Sequence, residues 1–131
     1  MSRVFRVVFA LWAGSLWSLA AWVSPTLFYS QSDRHLAGVL AGKLLSIETY
    51  VGLGVVLLAL LLRRRRGFLL GYAAAGLLVV NEWLLKPVMA AAHARGTAAG
   101  LGFGAWHGVS AVLYLCACAG VLILVWNEDF R

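Results

Sequence analysis

The sequence predicts an all-α membrane protein, a four-helix transmembrane bundle formed by a single domain over residues 1–131. Three observations carry this expectation. The chain is 63% hydrophobic and only 12% charged, whereas soluble domains are about a quarter charged and about half apolar. Its mean hydropathy is +0.88, which leaves too little polar surface to cover a water-exposed core. Four stretches, at residues 4–28, 44–62, 68–91 and 101–126, approach the ~20 apolar residues a helix needs to cross a bilayer core about 30 Å thick.

The first stretch follows Arg3 and Arg6, and Leu19-Ala20-Ala21 within it resembles a signal-peptide cleavage site. Its apolar run is about twice a signal core, so it is expected to stay as a transmembrane helix. The second stretch has an earlier possible start in HLAGVLAGK, residues 35–43. The third contains Asn81, Glu82 and Lys86. A charge near the bilayer centre costs about 2.5–3.5 kcal/mol on insertion scales, so Glu82 and Lys86 need a partner or a purpose. The fourth opens on Gly100, Gly104 and Gly108, and Gly38 and Gly42 precede the second. Such small-residue rows let helix backbones approach closely in lipid.

The net charge is +6 and the isoelectric point about 10.0. In a soluble chain this balance suggests nucleic acid. Here the charge is concentrated in Arg63, Arg64, Arg65 and Arg66, between two apolar runs, which reads as a cytoplasmic loop obeying the positive-inside rule. Arg3, Arg6 and Arg131 fall on the same side, and Arg34, Lys43 and Arg95 on the other. Both termini are therefore expected in the cytoplasm, and no nucleic-acid partner is expected. Cys116 and Cys118 lie about 200° apart on a helix and read as small packing residues.

Helical spacing sorts the polar residues into faces. Glu82 and Lys86 are four apart and so share a face; His93 returns to it, and Asn81 lies about 100° away. His107, Ser110, Tyr114 and Cys118 form a stripe on the fourth span, flanked by Gly104. Glu48, Gly52 and Ala41 form one on the second, and Gly14, Ser18, Ala21 and Pro25 one on the first. Turning these stripes toward one another gives Glu82 a neighbour in Lys86, and places His107 within its reach. It also matches the rule that intramembrane ionisable residues face the bundle interior. The blander reading is a self-neutralising Glu82–Lys86 pair, Glu48 at the interface and His107 as a packed histidine. The chain has no Gly-rich phosphate loop, HExxH, CxxC or G-x-S-x-G.

Several motifs carry a family resemblance. Trp12, Gly14, Pro25, Phe28, Ala37, Gly38 and Gly42, with NEWLLKPVM and FGAWHGVS later in the chain, resemble the transmembrane protein 205-like family, a domain of unknown function. The resemblance covers almost the whole chain and implies a four-helix integral membrane protein without an established activity. WAGSLW, SPTLF and the Asn81-Glu82…Pro87 segment are similar, more distantly, to the HemJ-type protoporphyrinogen oxidases, small four-helix haem proteins. That family carries a histidine early in its first helix, and residues 4–17 here have none. The resemblance implies haem b as a cofactor, with His107 as a ligand in a different arrangement.

The functional expectation is a small polytopic protein of the bacterial cytoplasmic membrane. It would hold a small molecule or metal ion at a buried polar site, with Glu82 as charged centre and Lys86 as counter-ion or anion contact. Asn81 and Glu48 would be polar supports, and His107 a ligand or proton carrier. The alternatives are a haem-binding oxidoreductase of HemJ-like type and an accessory subunit of a larger membrane complex or helix–helix oligomer.

Overall fold

The computed structural model describes residues 3–62 and 68–129. Four long helices dominate them: α1 (Arg3–Ser30), α2 (Arg34–Leu61) and α3 (Leu69–Arg95), then α4 (Phe103–Asp129). Each is long and apolar enough to cross a membrane. Short connections make sequence neighbours antiparallel. Because α4 packs against both α3 and α1, the bundle closes with α1 and α3 on opposite corners. The arginine run at 63–66 and Arg131 lie outside the described residues.

The second helix begins earlier than its apolar run. Asp33 caps it, accepting hydrogen bonds on Oδ1 from the backbone N–H of His35 at 2.9 Å and of Leu36 at 3.3 Å. An N-cap of this kind satisfies donors that a helix start otherwise leaves bare. Arg34, His35 and Lys43 weaken the hydropathy signal without obstructing the helix. The third helix stops at Gly96, whose φ is 85°. A short hairpin follows, with Thr97–Ala98 (β1) paired to Leu101–Gly102 (β2). Its turn residues Ala99 and Gly100 have φ of 50° and 80°. Leu101 and Gly102, expected to open the fourth span, belong to this hairpin. The Trp106 indole N–H donates to the Ala98 carbonyl at 2.9 Å and ties the hairpin to α4.

Both α1 and α3 contain a π-helical segment, at Leu19–Val23 and Asn81–Leu85. There the Ser24 N–H reaches back to Leu19 O and the Lys86 N–H to Asn81 O. Pro25 and Pro87 follow immediately and have no N–H to donate. The wider turn accommodates the residue that proline displaces, and such bulges are frequent at functional sites. The same offset along the chain that separates Pro25 from Pro87 also relates the buried stripes. Phe9, Trp12, Ala13, Leu16 and Leu19 on α1 match Gly71, Ala74, Ala75, Leu78 and Asn81 on α3, all of them buried.

This stripe corrects the expected inward face of α1. Gly14, Ser18, Ala21 and Pro25 are exposed; the interior is filled instead by Phe9, Trp12 and Leu16. Bulky side chains fill the centre of the bundle, and small residues are free to face lipid. Opposite corners meet at one end, where Phe68 packs on Phe5 and Phe9 with ring centroids 5.2 and 5.1 Å apart. A Cβ on Gly71 would lie 2.8 Å from Phe9 Cε1, so only glycine fits there without displacing the ring. The glycine row of α4 is not a contact within the bundle. Gly104 and Gly108 are exposed with open space around them, and Gly100 serves the turn.

Candidate functional site

The polar side chains of the bundle form three separate clusters near the middle of the helices. The first joins α2 to α3. Lys86 Nζ donates to Glu82 Oε1 at 2.9 Å, Glu82 Oε2 at 3.2 Å and Ser46 Oγ at 2.5 Å, with Gly42 O at 3.5 Å. The Ser46 hydroxyl has Glu82 Oε1 at 2.8 Å and Gly42 O at 3.0 Å as acceptors, and its one proton serves them in turn. The Glu82 side chain is 11% exposed and that of Lys86 44%. The i, i+4 spacing thus gives an ion pair at the bundle edge, with the Lys86 stem reaching outward.

The second cluster joins α3 to α4. Asn81 Nδ2 donates to Ser110 O at 3.1 Å, and Ser110 Oγ donates to Asn81 Oδ1 at 2.6 Å. Asn81 is 1% exposed. Asn81, at the start of the π segment, is more deeply buried than Glu82.

The third cluster lies among α1, α2 and α4. Glu48 is 8% exposed. Its Oε1 accepts a hydrogen bond from Ser15 Oγ, while its Oε2 is buried without a partner. Trp12 Nε1 is also buried without one. The Trp12 ring lies against the backbone of Gly52, where a Cβ would come within 2.5 Å of Cζ2 and 3.1 Å of Cε2. Gly52 is one helical turn from Glu48 on the same face. Tyr114 and Cys118 are within electrostatic reach of Glu48, and the Tyr114 hydroxyl donates to Leu16 O at 2.6 Å. A bare acceptor and a bare donor around one glycine distinguish this cluster from the other two.

A family model described as Domain of unknown function (DUF4149) matches residues 7–98. The chain belongs to that family. No curated protein and no solved structure matches it. The match to DUF4149 brings no activity with it, and lends no support to the finer resemblances to the transmembrane protein 205-like and HemJ-type families.

Within this DUF4149 chain the five residues singled out by sequence do not form one site. Glu82 and Lys86 are together, Asn81 is bonded to Ser110, and Glu48 faces α1 and α4. His107 is exposed and stacks on Phe103 with centroids 5.9 Å apart, while Glu82 turns to α2. The expected reach of His107 to Glu82 is not realised, because His107 lies in the exposed opening turns of α4, and Ser110 is the first buried residue of that helix. An exposed ring stacked on Phe103 does not fit a haem held inside the bundle. Among the described residues no group of three or more His, Cys, Asp or Glu is placed to hold a metal ion.

Sequence reasoning missed Ser15, Trp12 and Ser46. Ser46 was detectable, since it lies four residues beyond Gly42 on the same face of α2. Ser15 and Trp12 were hidden by the more regular stripe of small residues beside them.

Proposed function

We propose that this protein binds a small monovalent cation, an alkali ion or a protonated amine, at Glu48 between α1, α2 and α4. The unpartnered, buried Oε2 of Glu48 carries the reading. An isolated carboxylate in a low-dielectric interior is destabilised by several kcal/mol unless it is protonated or paired. One positive charge balances one carboxylate, and the aromatic rings of Trp12 and Tyr114 offer cation–π contacts. A hydrated ion, or an amine bearing a hydroxyl, supplies both the donor Glu48 lacks and the acceptor Trp12 Nε1 lacks. Glu82 and Asn81 contribute to the surrounding structure, because their hydrogen-bonding groups already have partners across the helix interfaces.

The proposed setting is the bacterial cytoplasmic membrane; the arginine distribution supports an orientation with both termini and residues 63–66 in the cytoplasm. Carbodiimide labelling tests the ligand reading, since the reagent modifies protonated carboxyls in apolar surroundings. The expected result is an adduct on Glu48, found by mass spectrometry and suppressed by millimolar sodium or potassium, or by a protonated tertiary amine, which cannot form an amide with the activated carboxyl. Labelling that no cation suppresses overturns it.

A second reading, an accessory subunit of a larger membrane complex, is favoured by the open space over Gly104 and Gly108. It predicts that Gly104→Leu disrupts an assembly seen by native mass spectrometry, while a chain that is monomeric in every mild detergent tried overturns it.

A further inference from the structure

The chain's three histidines come together at one end of the bundle, outside the polar clusters above. His35 is in the first turn of α2, fixed in place by the Asp33 cap. His93 is in the last turn of α3. The hairpin after Gly96 returns the chain so that Phe103, at the start of α4, meets the His93 ring edge-on, with centroids 5.5 Å apart and planes at 65°. The His93 ring also lies beside His35, with centroids 6.2 Å apart and planes 21° from parallel. His107 stacks on Phe103. His107 thus joins the row through Phe103, whereas His35 and His93 meet directly.

We propose that His35 and His93 form a two-imidazole site for a divalent copper ion, clamping α2 to α3, with water in the remaining coordination positions. An imidazole nitrogen lies about 2.0–2.1 Å from a metal such as zinc, so two rings on one ion have centroids no more than roughly 6.5 Å apart. The observed 6.2 Å is near that limit. The rings are nearly parallel as they stand and turn to converge on an ion, so affinity decides the metal: at nitrogen and oxygen ligands it peaks at copper(II) among the divalent first-row metals. Both side chains are exposed, so each ring can turn a nitrogen to the ion and water can complete its shell. Phe103 packs edge-on against His93.

The test uses the full chain in mild detergent without a polyhistidine tag, titrated with Cu²⁺, Ni²⁺ and Zn²⁺ by calorimetry. One Cu²⁺ per chain is expected, bound at least tenfold more tightly than Zn²⁺, with electron paramagnetic resonance showing two nitrogen ligands. His35→Ala and His93→Ala should each weaken Cu²⁺ binding at least tenfold, whereas His107→Ala should change it less than twofold. Thermal melts of the metal-free variants should match the parent, because both residues are exposed. Cu²⁺ binding that survives both substitutions, depends equally on His107, or is absent at millimolar concentration overturns the proposal.

Discussion

Asn81 and Ser110 hold α3 to α4 by two reciprocal hydrogen bonds, one through the Ser110 carbonyl and one through its hydroxyl. The two bonds respond differently to mutation. Asn81→Ala removes both, whereas Ser110→Ala leaves the bond to the backbone. Interhelical hydrogen bonds in membrane proteins average about 0.6 kcal/mol and reach about 1.7 kcal/mol. Asn81→Ala is therefore expected to destabilise the bundle by about 1–2 kcal/mol and Ser110→Ala by about half as much. Unfolding titrations in mixed mild detergent and dodecyl sulfate measure the difference; a larger loss for Ser110→Ala contradicts the bonding pattern.

The Glu82–Lys86 pair should show coupling. Glu82→Gln leaves an ammonium, and Lys86→Met leaves a carboxylate, where each now has its opposite charge within 2.9 Å. Removing one member of a partly buried pair costs more than removing both. The double variant is expected to be more stable than Lys86→Met, which strands the less exposed group. A double-mutant cycle reads the coupling directly, and strict additivity would mean the pair contributes nothing.

Gly52 is required by the approach of Trp12. Its replacement by alanine places a methyl group within 2.5 Å of the indole, which forces the ring or α2 to move. Overpacking of this kind typically costs about 1–3 kcal/mol. Gly54, with nothing within 4 Å of its Cβ position, is the control: Gly54→Ala should be neutral or slightly stabilising, and equal losses at the two sites would exclude the close approach as the cause.

The turn between β1 and β2 places Ala99 at φ 50°. Non-glycine residues in this left-handed region are disfavoured by roughly 1–2 kcal/mol, and asparagine is among the better tolerated. Ala99→Asn is expected to stabilise the hairpin by up to about 1 kcal/mol, seen as slower hydrogen exchange at Leu101, which faces Ala98 across the turn. Unchanged or faster exchange contradicts this.

The fold was legible because length and apolarity alone separate four spans in a chain this hydrophobic. The Glu82–Lys86 pair was legible from its i, i+4 spacing, and the inward stripe of Ser110, Tyr114 and Cys118 from its helical repeat. The early start of α2 was legible as an alternative in HLAGVLAGK, one residue from Arg34, but the Asp33 cap that fixes it was not, because a hydropathy window does not see a cap. The inward face of α1 was misread because small residues alone do not mark an interior in lipid. Asn81 sits deeper than Glu82, three residues beyond Leu78 on the buried stripe, where a neutral amide gives a weaker signal than the charge beside it. The signal of the π turns in sequence is the proline that follows each of them. The isolation of Glu48 required the positions of Ser15 and Trp12 on a neighbouring helix, a relation between elements that is not encoded by spacing within one.

The matched stripes of α1 and α3 have a consequence for how bulk and chemistry are divided. At equivalent positions α1 carries Phe9 and Trp12 where α3 carries Gly71 and Ala74, and Leu19 where α3 carries Asn81. The two corners share a backbone plan but have opposite side-chain volumes, large facing small across the interior. Two helices with one backbone plan thus differ in content, and exchanging the two stripes between them would keep the total volume while moving the amide to the corner now occupied by leucine.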